Sequence, residues 1–160
     1  MTVLPKVINR FHDKYDFLSN FYYAPMIINS KIYTTVEHYF QSSKTNNEED
    51  GERIRLAESP LDAKRLGRKV DLIYNWDNSS QFYMICGVRQ KFHQDVCLAT
   101  KLVRTGDAYL IEGNGWHDNI WGDCWCHKCE DIIGQNRLGK ILMKIREELH
   151  GLYYTDPETD

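Results

Sequence analysis

The amino-acid sequence predicts an α+β fold: a mainly helical single domain with a few short β-strands near the N-terminus. Residues 6–33 are rich in aromatic and β-branched residues and contain few helix formers, which favours strands. The rest of the chain is dominated by helical spacing, and its last helix carries a continuous apolar stripe of Leu138, Ile141, Leu142, Ile145 and Leu149. A length of 160 residues suits one ordinary domain. We place it at residues 1–152, followed by a flexible C-terminal tail over residues 153–160.

The first predicted elements are a hairpin and a helix. Two apolar runs, Met26–Ile28 and Ile32–Tyr33, flank a polar turn and indicate the hairpin. The run TTVE at residues 34–37 has the Ser/Thr-x-x-Glu spacing of a capping box, in which the first Thr and the Glu cap the helix start reciprocally. This helix is expected to continue to Lys44.

Further helices are predicted at residues 52–58, 60–67, 79–93 and 95–104, and a short strand at 109–112. Ser59 and Pro60 form the cap and first turn of the helix that ends near Gly67. The face expected to be buried on the helix at 79–93 comprises Phe82, Ile85, Val88 (or Arg89) and Phe92. Residues 113–134 show no periodicity, and Asn136 is expected to cap the last helix.

Charge and composition limit the functional classes. The formal net charge is −3, so no strong overall field attracts nucleic acid or an anionic membrane, although a local basic pocket is compatible with this balance. The N-terminal residues lack the apolar run of a signal peptide, and no stretch has the length of a membrane span. Five Cys without a secretion signal indicate free thiols in a reducing cytoplasm. We therefore expect a cytoplasmic protein with no membrane partner; its oligomeric state is open.

The helix that begins after Thr34 carries a polar face. Glu37, Gln41 and Lys44 recur at i, i+4 and i+7, so that a carboxylate, an amide and an amine share one side of the helix, flanked by Phe40. Such a face suits a pocket for a polar, planar ligand. The alternative is that Glu37 only completes the capping box and that Glu37 and Lys44 form an ordinary solvated helix surface.

Several short blocks occur in order along the chain. FLSNF at 17–21 is followed by YTTVEHYFQ at 33–41 with Lys44, by SP at 59–60, by LGR at 66–68 and by Trp76. DNIWG at 118–122 and GQNRLG at 134–139 come later. This series, over roughly residues 15–149, resembles the NADAR family, also called YbiA-like. One block alone is weak evidence of a family, but many blocks in the same order are specific evidence.

The resemblance implies a hydrolase of the N-glycosidase type. Family members are associated with cleaving ribose phosphate from reactive riboflavin-pathway intermediates, and others remove ADP-ribose from guanine in nucleic acid. Both reactions break the bond between ribose C1′ and a heterocycle nitrogen, and the sequence does not choose between the two substrates. The acidic balance disfavours extended nucleic-acid contact, although a single flipped nucleotide requires little basic surface. The alternative is a non-catalytic ADP-ribose- or NAD-binding module.

Three residues are candidates for the chemistry that the resemblance implies. Cleavage at C1′ builds oxocarbenium-like positive charge, which a carboxylate stabilises or relieves by activating water. Glu37 is the first candidate for this role, and Asp118 is a second carboxylate that would orient the ribose hydroxyls or, alternatively, cap the loop before Trp121. Lys44 permits a different mechanism, in which a deprotonated amine captures the opened sugar as a Schiff base.

The remaining candidates bind substrate. Arg68 and the start of the last helix suit a phosphate, and the aromatic candidates suit stacking on a base, with core packing as their alternative. For Asn136 and Gly139 the alternatives are helix capping and close packing. The complete set is Asn20, Phe21, Tyr39, Phe40, Gln41, Arg68, Trp121, Gly122, Asn136 and Gly139.

A cysteine cluster is not explained by the family pattern. The run CWCHKC at 124–129 places Cys124, Cys126 and Cys129 close together, with His117 as a possible fourth zinc ligand. The Cys-x-Cys-x-x-Cys spacing is tighter than in most structural zinc sites, and no second Cys pair completes it. We expect no cofactor to be needed for the chemistry; zinc at this cluster is the alternative, and it would stiffen the loop.

Overall fold

The structure, a computed structural model, describes residues 6–153. In chain order its strands are β1 (Val7–Ile8), β2 (Met26–Ile28), β3 (Lys31–Tyr33), β4 (Tyr109–Leu110), β5 (Gly113–Asn114) and β6 (Asp123–Cys124). Its α-helices are α1 (Val36–Ser42), α2 (Glu48–Arg55), α3 (Pro60–Gly67), α4 (Trp76–Gln94), α5 (Val96–Val103) and α6 (Arg137–Tyr153). Two 3₁₀ helices lie at Asp13–Leu18 and His127–Cys129. No helix in the described part of the chain has the length and apolar character needed to cross a membrane.

The chain divides into two compact units. Residues 20–94 form one, which contains the hairpin and helices α1 to α4; the described parts of 1–19 and 95–160 form the other. The predicted fold class, mainly helical α+β with a few short strands, is confirmed. The predicted domain boundary at residue 152 stays a prediction. Helix α6 includes Tyr153, the first residue of the predicted tail, and the remainder of that tail, 154–160, lies outside the described residues.

The hairpin forms as predicted. Strands β2 and β3 pair antiparallel, with Met26 opposite Tyr33. The turn residues Asn29 and Ser30 have φ values of 50° and 62°, and two consecutive positive φ angles are what a two-residue hairpin turn requires to match the twist of its strands. An Asn at the first position tolerates this conformation well.

Helix α1 begins one residue later than the capping box requires. The N-cap is Thr35, whose hydroxyl oxygen accepts a hydrogen bond from the His38 N–H at 3.2 Å. Glu37 is therefore the second helical residue, not the third, and the capping-box prediction for Thr34 is wrong. Two adjacent threonines offered the same cap chemistry, and the tertiary structure uses the second.

The sequence predicted the start of helix α3 correctly but not the start of helix α2. Helix α3 has Ser59 as N-cap and Pro60 in its first turn, as expected. Helix α2 starts earlier than predicted because Asn47 caps it, its Oδ1 accepting from the Asp50 N–H at 3.0 Å. The acidic residues that follow Asn47 then occupy the first turn, where the helix dipole favours negative charge.

The buried face of α4 is not the predicted one. Val88 and Phe92 are buried as expected, but Phe82 is 63% exposed and the row of Trp76, Ser80 and Met84 is buried instead. The reason is a close approach of α1 at Gly87: a Cβ there would lie 2.8 Å from the Tyr39 ring. The glycine, which lets Tyr39 approach, and not Phe82, decides which side of α4 meets α1.

The second unit is built on two parallel strand pairs and two helices. Strand β1 pairs with β4, and β5 pairs with β6. Asp95 caps α5 with its Oδ1, which accepts from the N–H groups of Cys97 and Leu98. Helix α6 packs against α5 and β4. Its predicted stripe is confirmed, since Leu138, Ile141, Leu142, Ile145 and Leu149 are all buried.

Candidate active site

The polar face of α1 exists as the spacing predicted, and it is buried. Gln41 Nε2 donates to Glu37 Oε1 at 2.7 Å, and both side chains are less than one-tenth exposed. The Glu37 backbone N–H donates to the Asn20 carbonyl at 3.1 Å, which ties the start of α1 to the segment before the hairpin. The ordinary solvated-surface interpretation of this face is therefore wrong for Glu37.

Gly67 holds Gln41 in place. A Cβ at Gly67 would collide with Gln41 Oε1 and would lie 2.9 Å from Gln41 Cδ, so the amide lies directly against the glycine. Gln41 Oε1 is buried and has no hydrogen-bond partner among the described residues. The contact with Gly67 and the bond to Glu37 together fix which side of the amide faces the carboxylate.

The surroundings of Lys44 act on its pKa in opposite directions. Burial lowers the pKa of Lys44, attraction to Glu37 raises it, and repulsion from Arg68 and Lys64 lowers it further. The net result is a pKa below the usual lysine value. Two cations thus act on Lys44 near a buried carboxylate, an arrangement that suits an anionic ligand with a positively charged reacting centre.

Aromatic rings surround the Lys44 amine. Its Nζ lies 5.8 Å from the ring centre of Phe40 and 6.0 Å from that of Trp76. Phe40 and Trp76 contact one another at 5.2 Å, and Tyr83 stacks on Trp76 at 5.6 Å with 24° between the planes. Phe40 was expected at the site. Trp76 is part of the motif series, but 32 residues separate it from Lys44, so local spacing does not predict this contact.

Lys64 was also missed. It lies four residues before Arg68 at the end of α3, and residues at i and i+4 share a helix face. That spacing was the available signal. Lys64 Nζ lies 5.8 Å from the ring centre of Phe21, which is 39% exposed. Phe21 is therefore an accessible aromatic ring beside a cation, as a stacking residue for a phosphorylated ligand requires.

Asn20, Tyr39 and His38 support the site from inside. Asn20 is buried and its Nδ2 lies 3.2 Å from Met84 Sδ. Tyr39 packs edge-on against Tyr33 at 5.2 Å, and burial raises its pKa to about 12. These are the contacts of core residues, and ligand contact by Asn20 and Tyr39 stays a prediction.

His38 anchors α1 to the end of α2. Its Nε2 lies 3.1 Å from the Ala57 carbonyl oxygen, which can only accept, so Nε2 carries the proton. Nδ1 then accepts from the Thr35 hydroxyl at 2.8 Å. Burial lowers the pKa of His38, which keeps the ring neutral.

In the other unit, Asp118 forms a turn. Its Oδ1 accepts from the N–H groups of Ile120 and Trp121 at 3.1 and 2.9 Å. Asn114 holds the same loop, because its side chain donates to the Asp118 carbonyl and accepts from the Asp118 N–H. The loop-cap alternative for Asp118 is confirmed by these bonds, and its catalytic role stays a prediction.

Gly122, Asn136 and Gly139 connect the DNIWG and GQNRLG blocks. The Gly122 carbonyl accepts from the Asn136 N–H, and a Cβ at Gly122 would collide with the Glu112 carbonyl. Contrary to the expectation, the Asn136 side chain does not cap α6. Its Oδ1 accepts from the Glu112 N–H at 3.0 Å, and its Nδ2 donates to the Leu110 carbonyl at 2.8 Å. Gly139 lets α6 approach the Leu110 carbonyl, where a Cβ would collide.

The cysteine cluster comes together in the same unit. The donor atoms of His117, Cys124, Cys126 and Cys129 all lie within 4.8 Å of one another, so these residues are able to hold a metal ion.

The predicted site residues divide between the two compact units. One group lies in residues 20–94 and comprises Asn20, Phe21, Glu37, Tyr39, Phe40, Gln41, Lys44 and Arg68. The other unit carries Asp118, Trp121, Gly122, Asn136 and Gly139.

Comparison with known proteins decides the family. The NADAR domain model matches residues 8–150, which spans both compact units. The chain belongs to the NADAR family. It is 38% identical over 139 residues to N-glycosidase YbiA of Escherichia coli K12, covering 86% of this chain and 83% of that protein. A riboflavin biosynthesis protein of Vibrio vulnificus is 34% identical over 86% of this chain and 36% of its own length.

A solved structure agrees with these relatives. The NMR structure of E. coli YbiA superposes with a TM-score of 0.80 at 34% identity, covering 98% of this chain and 94% of the YbiA chain. These findings confirm the predicted NADAR membership and the predicted enzyme class, a hydrolase of the N-glycosidase type.

Proposed function

We propose that this NADAR protein hydrolyses the C1′–N bond between ribose 5-phosphate and an aminopyrimidine intermediate of riboflavin biosynthesis. The name of the Vibrio relative supports this substrate class. The observation that carries the proposal is the buried pair of Glu37 and Gln41 beside Lys44, with Lys64 and Arg68 acting on the same amine. The unpaired state of the five cysteines is consistent with action in a reducing cytoplasm.

The proposed chemistry assigns a role to each group. As the C1′–N bond lengthens, positive charge grows on the ribose, and the Glu37 carboxylate stabilises it. Water adds its oxygen to C1′, and the leaving nitrogen takes up a proton. Gln41 is a positioning residue, because its Nε2 fixes the Glu37 oxygen it contacts. Lys44, Lys64 and Arg68 bind the phosphate, and Phe21 with Trp76 contacts the base.

The first test compares the wild type with Glu37→Gln on two substrates. One is a ribosylaminopyrimidine phosphate, and the other is ADP-ribosylated guanosine; products are followed by mass spectrometry. We expect release of ribose 5-phosphate by the wild type and a loss of about 10²–10⁴-fold in kcat/KM in the variant, because one carboxylate is removed from the transition state. The amide of the variant retains an acceptor for Gln41, so its melting temperature should stay near that of the wild type.

Three outcomes contradict parts of the proposal. Turnover of ADP-ribosylated guanosine alone would replace the substrate class and leave the Glu37 chemistry intact. Equal turnover by both proteins would remove Glu37 from the chemistry. Tight ADP-ribose binding by both proteins without turnover would favour the non-catalytic binding module.

A second mechanism is favoured by one observation, the lowered pKa of Lys44. The ribosylamine first opens to an imine by breaking its C1′–O4′ bond, and the neutral Lys44 amine then adds to C1′ and expels the heterocyclic amine, which leaves with a proton. Water hydrolyses the resulting lysine imine, which releases the sugar phosphate and regenerates Lys44. The two mechanisms require opposite protonation states. A phosphate-binding Lys44 is active below its pKa, so kcat/KM should fall as pH rises through it; a nucleophilic Lys44 is active above its pKa, so kcat/KM should rise.

We expect the fall, with Lys44→Arg moving it to higher pH because arginine stays protonated. A pH profile of kcat/KM measures this directly. Borohydride added during turnover provides the control: a ribose phosphate adduct on the intact wild type, absent from Lys44→Arg, would contradict the carboxylate mechanism.

A further inference from the structure

The cluster of His117, Cys124, Cys126 and Cys129 has the geometry of a metal site. His117 Nδ1 lies 3.1 Å from Cys126 Sγ and 3.4 Å from Cys129 Sγ. A tetrahedral zinc ion with ordinary Zn–S and Zn–N bond lengths holds its ligand atoms about 3.3–3.8 Å apart. The two contacts of His117 are close to these separations, and no pair of the four donors is wider than 4.8 Å, although the residues span 13 positions of loop, strand and 3₁₀ helix.

The donor types select the metal. Three thiols and one imidazole form a soft set that suits zinc, whereas calcium and magnesium prefer oxygen ligands. Four protein ligands complete a tetrahedral shell and leave no open position for a substrate or a water. The site is therefore structural in type.

Hydrogen bonds to the sulfurs support the ligands. The His117 N–H donates to Cys124 Sγ at 3.3 Å, and Asn119 Nδ2 donates to Cys129 Sγ at 3.4 Å. Asn119 Oδ1 also accepts from the Cys124 N–H at 3.0 Å. Donors aimed at ligand sulfurs orient them and stabilise the thiolate form that binds metal. Asn119 thus connects two of the ligands through one side chain.

The position of the cluster suggests what the ion does. His117 immediately precedes Asp118, and Cys124 follows Gly122 by two residues, so the DNIWG block lies between two of the ligands. Cys124 is also in β6, which pairs with β5. A metal ion bound here closes this loop and joins it to the 3₁₀ helix at His127–Cys129.

We propose that His117 Nδ1 and the thiolates of Cys124, Cys126 and Cys129 bind one structural Zn²⁺ that fixes the loop carrying Asp118 and Trp121. None of the four ligands has a role in the proposed hydrolysis, and the site does not depend on which substrate the enzyme uses.

The first test is the metal content of the full-length chain, produced without a polyhistidine tag in zinc-supplemented medium. Elemental analysis and native mass spectrometry should find about one zinc ion per chain. Replacement by Co²⁺ should give the sulfur-to-cobalt charge-transfer absorption and the strong visible bands of a tetrahedral site. No bound metal with no cobalt spectrum, iron in place of zinc, or an intact mass two daltons low from a disulfide would each overturn the proposal.

Variants locate the site. Cys126→Ser should lower zinc affinity by about 100-fold or more, since outer hydrogen-bond partners alone are worth about 10–100-fold. Cys97→Ser is the matched control, because Cys97 is an exposed thiol on α5 outside the cluster; it should retain full zinc. A chelator should lower the melting temperature of the wild type and of Cys97→Ser, but not that of Cys126→Ser. Equal zinc content in Cys126→Ser and the wild type would also overturn the proposal.

Discussion

Helix α1 and the segment from β5 to the start of α6 carry most of the candidate residues, and they position polar side chains by different means. In α1 the helix pairs its own backbone groups, so Glu37 and Gln41 meet each other by helical spacing. In the segment at 113–136 most of the backbone is irregular. Asn114 and Asp118 bind N–H and C=O groups within it, and Asn136 binds those of the preceding residues Leu110 and Glu112. These polar side chains therefore satisfy backbone groups that the irregular chain leaves without a regular partner, because backbone groups that stay unpaired are costly when buried.

The largest expected effect on stability tests the loop side of this comparison. Asn136→Gly retains the positive φ of 48° but loses both side-chain bonds, leaving the Glu112 N–H and the Leu110 carbonyl without that partner. The free energy of unfolding should fall by about 2–4 kcal/mol. Denaturant unfolding measures it. Asn29→Gly is the matched control, because Asn29 also has a positive φ but is exposed in the hairpin turn; its change should stay within about 0.5 kcal/mol. Equal changes in the two variants would mean that the Asn136 bonds contribute little.

Asp118→Asn separates the turn from the carboxylate. The amide keeps an Oδ1 acceptor for the Ile120 and Trp121 N–H groups, so the melting temperature should be unchanged. If the charge orients ribose hydroxyls, as the family resemblance predicts, kcat/KM should fall by about tenfold to 100-fold. Asp131→Asn, an exposed position in the same segment, is the control. Wild-type kcat/KM in Asp118→Asn would show that Asp118 only forms the turn. Its carboxylate, unlike that of Glu37 in α1, would then have no role in the reaction.

Gly67→Ala tests how tightly α1 depends on its neighbour. The added methyl group collides with Gln41 Oε1 and forces the amide away, which breaks its bond to Glu37. We expect a loss of about tenfold in kcat/KM, since a misplaced positioning group costs rate without removing the carboxylate. Gly51→Ala is the matched control, because a Cβ there meets nothing nearer than 3.8 Å. Unchanged kcat/KM in Gly67→Ala would show that the Glu37–Gln41 bond is dispensable.

Local sequence rules predicted much of the fold. The hairpin, helix α3 with its Ser59 cap, and the stripe of α6 all follow from patterns within a few residues, and all are confirmed. The N-cap of α1 is misplaced because two adjacent threonines offer equivalent caps, and the start of α2 is misplaced because Asn47 caps that helix before the predicted first residue. The buried face of α4 was wrong because it depends on a distant contact at Gly87.

The candidate site divides in the same way. By itself the sequence determined the NADAR family, the common face of Glu37, Gln41 and Lys44, and the cysteine-rich run, because these depend on residue types and on the period of one helix. Only the tertiary structure decided that Glu37 and Gln41 are buried, that Trp76 and Lys64 act on Lys44, and that His117 joins three cysteines. These facts depend on contacts between residues far apart in the chain, which packing selects and local spacing does not encode.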